Sequence, residues 1–562
     1  MNYLDKYQMW QQSEGMEEEL LQELESIKDD DKAIYERFYQ DLSFGTAGLR
    51  GIIGAGTNRM NVYTVQKATA ALALYLLSHT GKDAFSEGVV IAYDSRHYSE
   101  KFAEEAALML NSFGIKTYLF DRPTPTPELS FAIRHLQAAG GIVITASHNP
   151  KEYNGYKVYH RQGVQATETM AAEIAENMAK YETLDSLPIM ISQKLAKERN
   201  LYHIVGYAVH QAYQQAVLQQ KRLEDKEAKA NLRIVYTPLH GTGLRPVQEV
   251  LTQAGFTDVN LVVSQSNYDG DFSTVNVPNP EDKAALELAI AYGEEIKADL
   301  ILGTDPDSDR IGTAAATSAG YQLLSGNQIG ALLVDYLVQM QGKDVKAGST
   351  LIKTIVTSDL GAEIARKAGV EVLETLTGFK YIGEKMVEFA RSGKQSFFMG
   401  YEESYGYLVG DHARDKDAVV TALLISEMAA YWKAQGFNLV ERLEKLYEEY
   451  GYYLDGIFSY TLPGVDGQEK IKKLMAGLRQ KAPAALGGLL VEEVKDYQGG
   501  LDELPPSDVL KYYLTEGSWA AIRPSGTEPK IKFYYSICAE DREKATDIRE
   551  ALKQDIEKII NE

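Results

Sequence analysis

The sequence has a single cysteine, no long apolar run and too few basic residues to balance its acids. Cys538 alone excludes an intrachain disulfide and a cysteine-based metal site, and we expect an inert buried thiol just after a strand over 531–537. No apolar run reaches the length of a membrane span, and residues 1–19 lack the apolar core of a secretion signal, so the cytoplasm is the expected compartment. The formal net charge of −22 argues against nucleic acid or a membrane surface as a partner.

The 562 residues are too many for one hydrophobic core, so several domains are expected. A strand, a helix and a second strand recur three times, and the helices end at Gly114, Gly255 and Gly369. The sequence therefore predicts an α/β fold with three similar mixed-sheet domains, followed by an α+β domain. Acidic helices over 1–41 are expected to have a packing role. The predicted domain ranges are 1–205, 206–325, 326–450 and 451–562.

The stretch from Gly141 to Lys157 is the most informative part of the sequence. Its β-branched residues predict a buried strand that ends near Ser147, because Pro150 lacks a backbone donor and disfavours helix before it. Such strand ends are where α/β proteins place reactive groups. Ser147, which precedes His148, could therefore be a nucleophile. The alternative is a plain turn in which the serine caps the loop backbone.

Three carboxylates, Asp305, Asp307 and Asp309, follow another predicted strand at alternate positions. Such a set can converge on one hard cation through oxygen ligands. The spacing is like the start of an EF-hand loop, but Ala316 stands where that loop needs glutamate. A fourth oxygen must then come from elsewhere, and a phosphate on Ser147 would supply it. The alternative is a solvated acidic loop.

Two further loops have residues suited to a polar ligand. Thr46 lies in a Gly-rich stretch that lets backbone amides approach a ligand, and Arg50 adds a forked cation. Glu402 and Ser404 follow an apolar run, and a carboxylate and a hydroxyl at that spacing can bind neighbouring sugar hydroxyls. A simple turn explains the second loop equally well.

The C-terminal half contains two candidate sites for charged chemistry. Lys416 is flanked by acids and could carry a proton, although such a charge run is also typical of a surface. Between two strand-like runs, Arg523 precedes two hydroxyls and a glycine, which together could hold a phosphate. The alternative for this stretch is a hairpin loop with incidental polar residues.

Four of these motifs resemble those of the α-D-phosphohexomutase family, which includes phosphoglucomutase and phosphomannomutase. The resemblance covers nearly the whole chain in the family's order, and it implies three related α/β domains and a smaller fourth around a central cleft. Two departures stand out: Tyr401 separates Gly400 from Glu402, and the N-terminal helices are longer than in minimal members. The matching stretches are 145–150 for the phosphoserine, 305–310 for magnesium, 402–404 for the sugar and 523–527 for the phosphate.

The resemblance implies interconversion of glucose 1-phosphate and glucose 6-phosphate through a phosphoserine enzyme and a bisphosphorylated sugar. It implies one Mg²⁺ per chain, bound by Ser147 and the three aspartates, and a sugar bisphosphate as activator. It leaves open which lysine acts as the base. The implied catalytic residues are Ser147, His148, Lys157, Lys416 and Arg50. The implied substrate-binding residues are Thr46, Arg50, Arg310, Thr377, Gly378, Glu402, Ser404, Lys416, Arg523, Ser525, Gly526 and Thr527.

The preferred sugar is the least determined part of this interpretation. The stretch 374–383 resembles that of the glucose-preferring branch, with Phe379 as its aromatic residue, but similar stretches occur in the branch that accepts pentose phosphates. Phosphomannomutase, phosphoglucosamine mutase and phosphopentomutase are therefore alternatives. A serine phosphatase would leave the phosphate cradle unexplained, and a sugar-phosphate sensor has no use for Ser147 and Lys157 together. We expect a monomer or weak homodimer that binds a phosphosugar.

Overall fold

The strands form four sheets in a computed structural model of the protein. Each sheet is covered by helices, which confirms the predicted fold class of three α/β units and a different fourth one. In the ranges described, no helix is both long enough and apolar enough to cross a membrane. The structure describes residues 1–13, 15–342, 345–462, 466–525 and 529–561.

Three short helices precede the first sheet: α1 (Tyr3–Gln12), α2 (Glu18–Ser26) and α3 (Asp31–Phe38). The Asn2 and Asp30 side chains accept hydrogen bonds from the first turns of α1 and α3, which satisfies amides that have no partner within the helix. Between the helices lies a core that contains the buried residues Trp10, Leu24 and Phe38. The predicted packing role of this segment is thus confirmed.

The first sheet has six strands in the order β1–β5–β4–β2–β3–β6. Strands β2, β3, β4 and β6 run parallel, whereas β5 and β1 are antiparallel to their neighbours. Since β4 and β5 form a hairpin, the loop between them lies at the same edge as the carboxyl end of β2. The elements are β1 (Leu49–Ile52), α4 (Val62–Thr80), α5 (Asp83–Glu87), β2 (Val89–Tyr93), α6 (Ser99–Ser112), β3 (Thr117–Phe120), α7 (Thr126–His135), β4 (Gly140–Ile144), β5 (Tyr153–His160), α8 (Glu168–Met178), α9 (Gln193–Glu198) and β6 (Tyr202–Val205).

The second sheet has five strands in the order β11–β10–β9–β7–β8. Strands β7, β8 and β9 are parallel, and β10 and β11 continue the sheet as antiparallel strands. The turn between β9 and β10 contains the three aspartates. The elements are α10 (Tyr207–Leu218), α11 (Lys226–Ala230), β7 (Arg233–Thr237), α12 (Leu244–Ala254), β8 (Asp258–Leu261), α13 (Glu287–Ile296), β9 (Leu300–Thr304), β10 (Ile311–Thr317) and β11 (Gly320–Leu324).

The third sheet has four strands in the order β13–β12–β14–β15. The units β2–α6–β3, β7–α12–β8 and β12–α15–β13 each join two parallel strands, and the three helix-ending glycines have positive φ of 79°, 103° and 83°. The predicted threefold repeat is thus confirmed. The elements are α14 (Gly326–Gln341), β12 (Ser349–Thr354), α15 (Leu360–Lys367), β13 (Glu371–Thr375), α16 (Phe379–Ser392), β14 (Ser396–Glu402), β15 (Gly406–Leu408), α17 (Ala418–Ala434) and α18 (Leu439–Tyr450).

One hydrophobic core is shared by the second and third sheets, whereas the first and fourth sheets have cores of their own. Helix α17 crosses this shared core and is buried along nearly its whole length. A buried ion pair also joins the two units: Lys229 Nζ lies 2.8 Å from Glu427 Oε1, and Glu427 Oε2 accepts from the backbone of Arg222 at 2.7 Å. Every charge of this pair is therefore compensated inside the core.

The fourth unit is an antiparallel sheet in the order β16–β21–β20–β19–β18–β17. Strands β17, β18 and β19 were not predicted. The predicted position and burial of Cys538 were wrong, because the residue lies within β21 and is only half-buried, although burial still raises the pKa of its thiol. The elements are β16 (Tyr452–Thr461), α19 (Gly467–Gln480), β17 (Ala485–Leu486), β18 (Leu489–Asp496), β19 (Leu510–Leu514), β20 (Trp519–Pro524), β21 (Lys530–Ala539) and α20 (Arg542–Asn561).

Candidate active site

Ser147 lies at the tip of the β4–β5 hairpin and contacts the aspartate turn of the second sheet. Its Oγ donates a hydrogen bond to Asp305 Oδ2 at 2.7 Å and lies 3.2 Å from His148 Nδ1. The residue is 4% exposed and has a φ of 53°, in the left-handed region. That conformation costs about 1–3 kcal/mol for a residue with a side chain and is concentrated at functional sites. The backbone thus holds this hydroxyl in one direction.

The aspartate turn brings three buried carboxylates together. Ligand oxygens of Asp305, Asp307 and Asp309 all lie within 4.8 Å of one another. Ser308 has a φ of 54°, and Asp305 Oδ1 accepts from the backbone of Asp309 at 3.1 Å and of Arg310 at 3.0 Å, which closes the turn. Burial, together with the charges of the other two aspartates, raises the pKa of Asp305 well above its usual range.

The aspartate cluster fits a divalent cation. Asp307 Oδ1 and Asp309 Oδ1 are buried and make no hydrogen bond among the residues that the structure describes. Buried carboxylate oxygens without partners are costly unless a positive charge satisfies them. Three converging hard oxygens are the ligands that Mg²⁺ accepts. The cluster can therefore hold a metal ion.

Two lysines from different units converge on this cluster. Lys157 Nζ lies 2.9 Å from Asp307 Oδ2 and 3.7 Å from Asp309 Oδ2, and Lys416 Nζ lies 3.2 Å from Asp309 Oδ2. Although burial opposes the change, Lys157 lowers the pKa of Asp307. Burial favours a lower pKa for Lys416, but the charges of Asp309 and Asp415 together outweigh burial and raise it. Both ammonium groups are thus held at the position where negative charge concentrates.

The predicted residues Arg50, Arg310 and His148 lie around the serine. Arg50 Nη1 donates to Asn149 Oδ1 at 3.2 Å, and Arg310 Nη1 donates to Glu281 Oε1. Burial, and after it the charges of Arg310 and Arg50, lowers the pKa of His148 to about 2. The imidazole is therefore neutral at physiological pH.

The sugar-loop residues lie at the end of a strand and in the turn that follows it. Strand β14 runs beyond its apolar residues to Glu402, so this carboxylate lies at the last position of the strand. Tyr401 is fully buried and packs on Gly330 and Gly361, which explains why it separates the glycine from the glutamate. The backbone N–H of Gly378 donates to Glu402 Oε1 at 2.8 Å. Burial raises the pKa of Glu402 to about 7 against the opposing charge of Lys416.

A cavity of about 210 Å³ joins three of the predicted ligand loops. It brings together residues that lie more than a hundred positions apart in the chain. Ser404 lies in the turn between β14 and β15. Ser525 follows β20, whereas Gly526 and Thr527 lie outside the described residues. The lining residues from the three loops include Thr46, Thr377, Gly378 and Arg523.

Models of the phosphoglucomutase/phosphomannomutase domains match four segments of the chain. The α/β/α domains I, II and III match residues 41–185, 211–318 and 325–450, and the C-terminal domain matches residues 472–554. The chain belongs to the phosphoglucomutase/phosphomannomutase family. It is therefore an enzyme of the phosphohexomutase class.

Two members of the family from staphylococci align over most of their length. A phosphoglucomutase of Staphylococcus haemolyticus is 39% identical over 521 residues, which are 91% of this chain and 92% of that protein. A phosphoglucomutase of Staphylococcus epidermidis is 40% identical over 509 residues, which are 88% and 90% of the two chains. Among solved structures, a phosphoglucomutase/phosphomannomutase family protein of Burkholderia thailandensis has the same fold, with a TM-score of 0.69, 18% identity and coverage of 92% and 97%.

Sequence reasoning missed the residues that support the serine loop of this phosphohexomutase. Asp94 Oδ2 accepts from Thr145 Oγ1 at 2.6 Å, and Thr145 Oγ1 in turn accepts from the backbone of Ser147 at 2.8 Å. Arg96 donates to the backbone carbonyls of Ser147 and Asn149. Both supports follow strand β2, and the carboxyl ends of β2 and β4 lie side by side. A charged pair directly after the strand was the signal that could have identified them.

Lys532 is a second residue that the sequence analysis missed. It lies on β21 directly opposite Arg523 of β20 in the antiparallel register. Burial, and after it the charges of Lys530 and Arg523, lowers the pKa of Lys532. Like charges opposite one another destabilise a sheet unless an anion lies between them. The alternation of Lys530 and Lys532 was the available signal.

Proposed function

We propose that the protein interconverts α-D-glucose 1-phosphate and glucose 6-phosphate, with Ser147 as the carrier of the transferred phosphoryl group. One observation carries the proposal: the strained, buried Ser147 hydroxyl contacts a metal-competent carboxylate cluster on which two lysines converge. A phosphoryl group needs in-line positioning and charge neutralisation more than covalent chemistry from the protein. The close family relatives support the same activity.

The resting enzyme would carry a phosphate on Ser147. In the first transfer, a free hydroxyl oxygen of the bound phosphosugar forms a bond to phosphorus, the bond between phosphorus and Ser147 Oγ breaks, and the electron pair returns to Oγ. The hydroxyl loses its proton as the bond to phosphorus forms, and Ser147 Oγ gains a proton as its own bond breaks. Lys157 or Lys416 can relay the proton, because an ammonium group that donates to Oγ can then take the proton of the hydroxyl. The bisphosphate then reorients within the cleft, and its other phosphate is transferred back to Ser147.

Magnesium is the cation that we assign to Asp305, Asp307 and Asp309. When bound, it would neutralise charge on the phosphoryl oxygens. The chain's own residues do the rest: Thr126 Oγ1 donates to Asp307 Oδ2 at 2.9 Å and so orients that carboxylate from the first unit. A sugar bisphosphate would act as activator, because it can restore the phosphate on a serine that has lost it.

The phosphate that does not react would be held by Arg523, Ser525 and Lys532, with Gly526 and Thr527 completing the loop. Arg523→Ala should therefore raise KM for glucose 1-phosphate, since a charge-assisted hydrogen bond is worth roughly 1.5–3 kcal/mol, or at least about tenfold in kcat/KM. Steady-state kinetics of the variant test this. Arg479→Ala is a matched control, because Arg479 pairs with Asp496 and Asp508 in the same unit. An unchanged KM in Arg523→Ala would contradict the assignment.

Sugar recognition would use Thr377, Gly378, Glu402 and Ser404. The substrate must bind in two orientations that exchange its phosphates, so these contacts must suit both. Mannose carries an axial 2-hydroxyl that such groups would meet badly, and a missed hydrogen bond at a desolvated site costs about 1–3 kcal/mol. We therefore expect glucose 1-phosphate to exceed mannose 1-phosphate by at least about tenfold in kcat/KM.

A panel of sugar phosphates tests the function and the preference together. Conversion of glucose 1-phosphate without release of inorganic phosphate is expected, whereas phosphate release would indicate a phosphatase and no conversion a sensor. Mannose, glucosamine and pentose phosphates are the competing substrates. Glu402→Ala should remove most of the glucose preference, and Glu403→Ala, which loses bonds to Thr354 and Thr357 instead, should keep it. Equal rates for all sugars on the wild type would overturn the glucose assignment.

A further inference from the structure

The loop between β15 and α17 ends in four consecutive charged residues: Arg414, Asp415, Lys416 and Asp417. Asp417 is explained by helix capping, because its Oδ1 accepts from the backbone of Val419 at 2.8 Å and of Val420 at 3.0 Å. Lys416 contacts the aspartate cluster. Asp415 is 3% exposed and takes part in neither the cap nor the cluster as a ligand. Burial of a charged carboxylate is costly unless neighbouring groups pair with it or donate hydrogen bonds to it.

Asp415 connects Lys416 to the first sheet. Its Oδ1 accepts from the backbone N–H of Lys416 at 2.8 Å and from Lys416 Nζ at 3.2 Å. Its Oδ2 accepts from the hydroxyl of Tyr159 at 2.6 Å. Tyr159 is fully buried on β5, two residues beyond Lys157 and therefore on the same face of the strand.

Residues of strand β5 thus help to fix the positions of both lysines. Lys157 extends from it directly, and Lys416 is reached from it through Tyr159 and Asp415. The two ammonium groups meet at the same atom, Asp309 Oδ2, at 3.7 Å and 3.2 Å. The stem of Lys416 is also confined, because a Cβ at Gly406 would lie 2.1 Å from its Cδ. A flexible lysine side chain is in this way held in one position.

We propose that Asp415 is a positioning residue for Lys416 during phosphoryl transfer, and that the Tyr159 hydroxyl holds Asp415 in place between the first and third units. This inference rests on the proposed function, because it assigns Lys416 a part in that reaction. Positioning of a charge that acts in the transition state affects kcat, whereas a contact made equally in the ground state affects KM. The two effects can be separated.

Tyr159→Phe removes one hydroxyl and keeps the ring. Loss of a hydrogen bond to a charged group should lower kcat for glucose 1-phosphate by about tenfold or more, with KM within about twofold of wild type. Tyr156→Phe is the matched control: Tyr156 is also fully buried on β5, and its hydroxyl accepts from Thr69 Oγ1 at 3.0 Å. An equal loss of kcat in the control, or a change confined to KM in Tyr159→Phe, would overturn the proposal.

A set of double variants tests whether Tyr159 acts through the other two residues. If it does, Tyr159→Phe should cause no further loss of kcat in an Asp415→Asn or a Lys416→Ala background. Additive losses would show that Tyr159 acts independently and would overturn the proposal. If melting curves show that Tyr159→Phe does not fold, Asp415→Asn is compared with wild type instead, with the same expected fall in kcat and unchanged KM.

The wild-type assay separates this proposal from the proposed function. No conversion of glucose 1-phosphate by the wild type would overturn both. Conversion by the wild type together with an undiminished kcat in Tyr159→Phe and Asp415→Asn would overturn the positioning role alone.

Discussion

Ser147→Ala should reduce the turnover of glucose 1-phosphate by a factor of at least about 10⁴, because the phosphoryl group loses its carrier. The fold should be unaffected, since the contacts of Arg96 and Thr145 with this residue involve only its backbone. The substitution removes a hydroxyl bonded to Asp305 at the tip of a loop. Steady-state kinetics and a melting curve together measure both expectations.

The control for this experiment is Ser95→Ala. Ser95 lies between Asp94 and Arg96, and its Oγ makes no hydrogen bond in the part of the chain that is described. It should keep wild-type turnover. Intact-mass measurement should find a phosphate on the wild type and on Ser95→Ala but not on Ser147→Ala. Substantial turnover by Ser147→Ala would refute the phosphoserine mechanism.

Removal of divalent metal should stop turnover, and Mg²⁺ should restore it. The same experiment has a second readout, because a metal ion would satisfy the buried oxygens of Asp307 and Asp309 that make no hydrogen bond in the described part of the chain. A metal that binds only the folded state stabilises it by about 2.7 kcal/mol at a free concentration of one hundred times Kd. Mg²⁺ added to chelated protein should therefore raise the melting temperature.

Asp307→Asn and Asp299→Asn make this test specific. Asp307 belongs to the cluster, whereas Asp299 lies at the opposite end of strand β9 and pairs with Lys433. The melting temperature should respond to Mg²⁺ in Asp299→Asn as in the wild type and should respond much less in Asp307→Asn. Full activity after exhaustive chelation, or an equal thermal response of the two variants, would count against a metal at the cluster.

The serine and aspartate motifs could be predicted from the sequence because each one follows a strand that is easy to recognise. Apolar β-branched runs end at Ser147 and at Asp305, and strand ends are where loops can carry chemistry. Composition and spacing could not show that these two residues touch, because they are 158 positions apart. That contact depends on how the first and second sheets pack. The family resemblance, rather than the pattern of the chain, linked them.

The misses have physical reasons of the same kind. Strand β18 has the sequence Leu489–Asp496 with charged residues at alternate and neighbouring positions, so its apolar pattern is weak. The sequence did not show that β14 continues beyond its apolar run to Glu402, because glycine and glutamate are poor strand residues, although Tyr401 between them is fully buried. The charged residues Asp94 and Arg96 and the alternation of Lys530 and Lys532 are visible in the sequence, but the groups that they support or face are known only from the folded chain.

The core that the second and third sheets share has a consequence for how the enzyme unfolds. Two units that bury their apolar residues in a common interior, and that are joined by Lys229 and Glu427, cannot lose structure independently. They form a single cooperative block, so calorimetry would record them as one transition. The fourth unit shares a smaller apolar cluster with the third, which includes Val356, Leu376 and Trp519, and is therefore coupled to this block. The first unit has an interior of its own and can open or melt separately while the block stays intact. The carboxylate cluster therefore lies in the cooperative block. Ser147 lies in the first unit, which can open away from that block.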